Sequence, residues 1–314
     1  MIRPPPPRPE SAHSALPEWA FCLRRLHLLW LVLLLGLGAC GRPSAGSSAI
    51  AVVDDAGDTV RLARPARRVV SLIPATTELL FAMGQGGLVA GRTSWCDYPA
   101  AATAVPSVGD GISPNLEAVL GVRPDLVVLY HSGQNGTAAE RLRALGVPAI
   151  QVRSDLLADV PRLARMLGRL TAQERAADSL VRAFEHDLAA ATLPAPPDPP
   201  SVFLLVWDQP PMTVGRGSYL TELLERAGGR NIYHDLPTSS AQISVESAAA
   251  RDPDVILTSS DTTPGFAHRP EWQVVRAVRE RRFVHAPGSE FSRPGPRSPA
   301  AIRDLAAQLR TWGR

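Results

Sequence analysis

The 314-residue sequence is poor in cysteine, with three, and has no lysine, so arginine supplies all of its basic groups. Cys22, Cys40 and Cys96 have neither the spacing of a metal clip nor that of a disulfide framework. The arginines are scattered among acids, the formal net charge is only +3, and no basic stripe marks a nucleic-acid surface. The seven histidines include His131, His186, His234, His268 and His285, spread along the chain with no His-rich loop. No Ser–His–Asp or Cys–His pattern stands out, which argues against an enzyme as far as spacing alone can, since such triads are assembled in space. Long apolar runs are lacking too. Positions 26–37 hold about a dozen mostly apolar residues, whereas a membrane-spanning helix needs roughly 20.

What is present starts with length, which leaves room for two compact lobes and a leader. Arg24 and Arg25 precede the apolar run, and small residues close it, the pattern of an export signal. Its exit, Leu37-Gly-Ala-Cys40, resembles a bacterial lipobox, which implies lipidation of Cys40 as the first mature residue. An uncleaved membrane anchor is the alternative. Residues 1–23 make a long basic flank, and a start further in would fit as well. Residues 41–49 are small and polar and read as a tether.

The body of the chain is organised around residues 69–130. An apolar run at 69–73 ends at Pro74 and reads as a buried strand, followed by a helix that Thr76 and Thr77 are placed to cap and that stops at Gly84. Asn115-Leu-Glu117 starts a second helix, and Arg123-Pro-Asp125 turns the chain into a strand at 126–130. Ahead of these, runs at 50–53 and 59–62 flank an Asp/Gly turn and predict a hairpin. Helical spacing recurs at 156–170. Thr171-Ala-Gln-Glu174 reads as a capping box for a further helix of about 21 residues, roughly 30 Å long, which ends before the prolines of 194–200. Strands at 202–206, 255–258 and 283–285 alternate with helices at 219–226, from Ser244, and at 299–312. Alternating units of this kind predict an α/β fold with mainly parallel sheets flanked by helices.

Four pieces in order, Val69-Val-Ser-Leu-Ile-Pro-Ala-Thr-Thr-Glu78, Asp97-Tyr-Pro99, Asn115-Leu-Glu117 and Arg123-Pro-Asp-Leu-Val-Val128, resemble the iron-siderophore and cobalamin class of periplasmic solute-binding proteins, nearest in motif to the vitamin B12 binders. The resemblance runs from about residue 50 to the C-terminus. It implies two small lobes joined by one long backbone helix, with residues 1–40 as a lipoprotein signal peptide, 41–49 a tether, 50–153 the first lobe with its hairpin, 154–192 a helical spacer, 193–200 a linker and 201–314 the second lobe. It implies a non-enzymatic monomer, held outside the cytoplasm by a lipid, that takes up a bulky chelate and delivers it to an ABC permease dimer with its ATPase. No cofactor is implied beyond the metal that the ligand carries.

Candidate contacts follow from loops at strand ends, where open α/β sheets bind ligands. Trp95 offers an exposed indole or, alternatively, packs the lobes; Tyr98 is a candidate contact or a packing residue within its lobe; Asp110 lies in a neighbouring loop. Trp207 and Asp208 end a strand that is expected to face the cleft, with Trp207 a ligand contact or, alternatively, a core residue. Phe291, Arg293 and Arg297 lie in the last loop, where a guanidinium forks onto ligand carboxylates or phosphates or stays solvated. Glu117 and Glu246 stand at matching helix starts. The resemblance assigns them to permease docking; favourable placement on the helix dipole explains them equally. Departures at Gly109-Asp110 and Ser239-Ser240, where cobalamin binders carry aromatics, keep an iron-siderophore in play beside a corrinoid. Haem capture, with Tyr130-His131 as the pair to watch, metal-ion capture, a sensory ectodomain and a stand-alone scavenger are the other readings.

Overall fold

The computed structural model describes residues 50–194, 196–259 and 261–312; the leader, the tether and Cys40 lie outside the described residues. A hairpin comes first, with β1 (Ile50–Val53) antiparallel to β2 (Thr59–Leu62) around the Asp/Gly turn. Asp54 closes that turn. Its carboxylate accepts from Ala56 and Asp58, then reaches across to the backbone N–H of Gln151 and to Arg143.

The first lobe is a four-stranded parallel sheet, β3 (Val69–Ser71), β4 (Val89–Arg92), β5 (Leu126–Tyr130) and β6 (Ala149–Val152), in the spatial order β4-β3-β5-β6. The second lobe repeats the plan. Its parallel strands β7 (Ser201–Asp208), β9 (Arg230–Asn231), β11 (Val255–Thr258) and β12 (Phe283–His285) lie in the order β9-β7-β11-β12. Short strands β8 (Pro211–Thr213) and β10 (Ala241–Gln242) add antiparallel pairing beside the carboxyl half of β7. In each lobe the first strand lies between the second and the third, so the chain reverses its direction of progress there.

Burial on both faces explains the near-continuous apolar runs of these strands. Along β5, Leu126 and Val128 join one apolar cluster while Val127 and Leu129 join another on the opposite face. In β7, Val202 and Leu204 divide from Phe203 and Leu205 in the same way. The largest cluster is common to both lobes. Helices α1 (Pro74–Ala82), α4 (Asp159–Thr171), α5 (Glu174–Ala191), α6 (Tyr219–Arg226) and α9 (Ser298–Leu309) all contribute to it. The remaining helices are α2 (Leu116–Gly121), α3 (Gly133–Ala144), α7 (Val245–Ala250) and α8 (Arg276–Arg279).

Two expected caps are replaced. Helix α1 starts at Pro74, whose fixed φ and missing N–H suit the first turn, so Ile73 is the N-cap. Thr76 and Thr77 sit inside the helix, and their hydroxyls donate back to the Ile73 carbonyl. At 171–174 no capping box forms. Thr171 ends α4 with its hydroxyl on the Leu167 carbonyl, Ala172 turns through the left-handed region, and α5 begins at Glu174 without a side-chain cap. At 18 residues, α5 is about 27 Å long. Its buried face carries Ala177, Val181, Phe184 and Ala191.

Candidate functional site: a cleft between the two sheets

The carboxyl ends of the strands build the site. The turn after β3 presents Ile73, Pro74 and Ala75, the loop after β4 presents Trp95, β5 ends in Tyr130, and β6 leads into Arg153, Ser154 and Asp155. Across from them stand Val206 of β7, Tyr219 and Leu220 of α6, and Phe291 to Pro294. Together they enclose a cleft of about 1000 Å³. A second cavity of about 570 Å³ continues it into the second lobe, sharing Trp95, Val206, Leu220, Phe291, Ser292 and Arg293 and adding Asp97. Strand ends beside a reversal of strand order are where open α/β sheets leave a crevice.

Trp95, expected as a contact, is 63% exposed and lines both cavities. Phe291 also lines both but is mostly buried, so it supplies a wall rather than a free face. Arg293 lines both as well and is already engaged. Its Nε donates to Glu78 Oε1 at 2.8 Å, Nη2 to Asp97 Oδ1 at 2.5 Å and Nη1 to the Trp95 carbonyl at 3.3 Å. Arg297 stands behind the wall. It donates to both oxygens of Glu78, at 3.0 and 2.8 Å, to Ser289 and to Glu290, and its guanidinium lies 3.9 Å from the centre of the Tyr98 ring. Tyr98 therefore serves as a cation–π platform for Arg297, outside the residues lining the cleft.

Glu78 was visible in the sequence only as part of a motif. Its side chain is 2% exposed, it belongs to the first lobe, and both of its arginine partners belong to the second. The loop can approach because Gly295 has no side chain; a Cβ there would stand 3.3 Å from Glu78 Oε2. Burial alone would push the Asp97 carboxyl up, but the hydrogen bond and charge of Arg293 outweigh it and hold the group below the ordinary carboxylate range.

Tyr130 donates its hydroxyl proton to Asp155 at 2.7 Å. Partial burial and that carboxylate push the phenol up to about 12. The sign follows directly: a raised folded pKa favours folding below the unfolded value, and this contribution is lost as pH rises through about 12. Ultraviolet titration of the protein against Tyr130→Phe should show the missing tyrosinate step near pH 12, and Asp155→Asn should bring that step down. A Tyr130 step near its ordinary value would contradict the hydrogen bond. His131, the other half of the pair singled out in the sequence, does not line the cleft. Among the described residues no cluster of three or more His, Cys, Asp or Glu is arranged to hold a metal ion.

Besides Tyr98 and Arg297, three further expected contacts stand outside the cleft. The Asp110 carboxylate closes a turn by accepting from the N–H groups of Ile112 and Ser113, which hold it below its ordinary range, and it does not line the cleft. Trp207 and Asp208 do not end β7 in an open loop. The strand runs on through Asp208 and folds back into β8, which swings both side chains to a neighbouring groove of about 310 Å³. There Trp207 Nε1 donates to the Gln209 carbonyl and Asp208 pairs with Arg269 at 2.6 Å. Spacing alone did not reveal the turn at Gln209-Pro210.

Glu117 and Glu246 are exposed and make no ion pair among the described residues. Each lies in the first turn of a six-residue helix, α2 capped by Asn115 and α7 capped by Ser244. Each helix leads into the third parallel strand of its own sheet, so the two glutamates are equivalent positions of one repeated plan.

Two lobes of like topology with a cleft at their carboxyl edges define a solute-binding fold, and residues 69–290 match the family model described as periplasmic binding protein. The chain belongs to that family. Among its relatives is the ABC transporter substrate-binding lipoprotein YvrC of Bacillus subtilis, 28% identical over 90% of this chain and 96% of the relative. The vitamin B12-binding protein of Pectobacterium carotovorum is 26% identical over 77% of this chain and 88% of its own. A solved structure described as a possible iron-binding periplasmic solute-binding protein of Staphylococcus epidermidis matches with a TM-score of 0.67 and 26% identity, covering 78% of this chain and 99% of that one. The fold is shared with the vitamin B12-binding protein BtuF of Vibrio cholerae at a TM-score of 0.66 and 24% identity, covering 79% of this chain and 98% of that one.

Proposed function

We propose that this protein is the extracytoplasmic receptor of an ABC importer, anchored through lipid on Cys40, and that it carries a bulky metal chelate from the cleft to a permease dimer with its ATPase. A corrinoid is the first choice of cargo and an iron-siderophore the second. The observation that carries the reading is the cleft of about 1000 Å³ with the exposed Trp95 indole on its wall. That volume is at the upper end of small-molecule sites, and an indole face covers a large apolar ligand at little entropic cost. The name of the Pectobacterium relative, vitamin B12-binding protein, supports the same class of cargo, and that of YvrC supports the receptor role. No helix among the described residues is long and apolar enough to cross a membrane.

The chain from Ser44 onward contains the whole compact unit Ser48–Arg314 and is the material to test. Titration with cyanocobalamin, haemin and a ferric hydroxamate, followed by tryptophan fluorescence, should give saturable binding of at least one chelate. Trp95→Ala should weaken that binding about 10- to 100-fold, the range for losing a central aromatic anchor. Binding of zinc alone, or an unchanged affinity in Trp95→Ala, would count against the reading.

A further inference from the structure

The cleft is built with guanidinium groups on its wall, which at first sight suits an anionic ligand. The ion pairs say otherwise. Arg293 is held by Glu78 and Asp97, and Arg297 by Glu78 and Glu290. Two guanidiniums therefore face three carboxylates, and the cluster carries one negative charge in excess. Its members come from α1, from the loop after β4 and from the last loop of the second lobe; Arg293 lines both cavities, Asp97 lines the second, and the others stand behind them. On the opposite wall the lining carries one charge of each sign, Arg153 and Asp155, with no ion pair between them; the Asp155 carboxylate accepts from Tyr130.

We infer that the cleft selects uncharged or cationic metal chelates and discriminates against polyanionic ones. This rests on the chelate-carrier reading and narrows it to a class of cargo. A polyanion that lies against the Arg293 wall has to take Arg293 from its carboxylates, leaving Glu78 buried without one of its partners, or else face the excess negative charge; both are costly. An uncharged chelate leaves the cluster intact and draws on Trp95 and the Phe291 wall. The buried carboxylate thus acts at a distance as a specificity-determining residue: it spends the positive charge of the wall on holding the lobes together.

The test compares probes of different charge on the chain from Ser44: cyanocobalamin, a cationic ferric hydroxamate (ferrioxamine B), haemin with its free propionates, and a ferric triscatecholate. The tightest uncharged or cationic probe should bind at least about tenfold more strongly than either anionic one at low salt, with the gap shrinking as salt rises. Asp97→Asn and Glu78→Gln each remove one carboxylate charge. Either should raise the affinity ratio of triscatecholate to cyanocobalamin about fivefold. Asp97 is on an exposed loop, so its variant keeps the test valid if the Glu78 variant folds poorly. A polyanionic probe that binds as tightly as the others, or a ratio unmoved by Asp97→Asn, overturns the inference while leaving a chelate carrier in place. Failure of every probe to bind overturns the carrier reading and this inference with it.

Discussion

Glu78→Ala should destabilise the chain by about 3–5 kcal/mol, the usual consequence of removing one partner from a buried ion pair. The reason is local. Arg293 and Arg297 are 14% and 19% exposed, and the carboxylate between them is 2% exposed, so the substitution takes the buried partner from each guanidinium and leaves Arg293 only Asp97 and Arg297 only Glu290. The pair also joins segments more than 200 positions apart, Glu78 in α1 and the loop that leads into α9, so its loss should loosen the contact between lobes as well as the fold. Urea unfolding reads the effect as a lower midpoint. An unchanged slope means a pure loss of stability, whereas a broadened transition means that the lobes have begun to unfold separately. Replacing Glu78, Glu290, Arg293 and Arg297 together by apolar residues of similar volume should recover much of the loss, because the cost of desolvating these ions disappears with them. A loss below about 0.5 kcal/mol in the single variant would show that water reaches the cluster and that surface-like screening applies.

Charge reversal at the two matched helix starts, Glu117→Lys with Glu246→Lys, should reduce uptake in cells about 100-fold or more while ligand affinity of the isolated protein stays as it was. Two separated carboxylates on equivalent helices, with no internal ion pair among the described residues, are suited to fixing the orientation of a partner that carries opposite charge, and like charges brought together at such a contact cost several kcal/mol. Loss of the helix-dipole contribution alone is about 0.3–1 kcal/mol per helix and leaves uptake nearly intact. The two outcomes are far enough apart to distinguish a docking pair from two capping acids. Reduced ligand affinity in the double variant would place these residues at the site instead.

The hairpin, the strand–helix alternation and the caps at Asn115 and Ser244 were legible because each is decided within a few residues: a turn that needs Asp and Gly, an apolar run the length of a strand, a side chain that satisfies the N–H three positions on. The expected caps at Thr76, Thr77 and Thr171 were local readings as well, and they failed where a competing local choice was better. Pro74 starts α1 earlier, and Thr171 bonds back into the helix it ends. Trp95 was found because a strand-end loop in an α/β chain marks the crevice; Trp207 satisfied the same rule until β7 proved long enough to turn back into β8.

By itself the sequence determined the class of fold, the matched pair of helix starts and one aromatic wall of the cleft, all of which depend on patterns short enough to be read along the chain. Tertiary structure alone decided that Arg293 and Arg297 would be neutralised rather than offered to a ligand. A guanidinium is free or committed according to what faces it, and the carboxylate that faces both of these arrives from a helix more than 200 residues earlier in the chain.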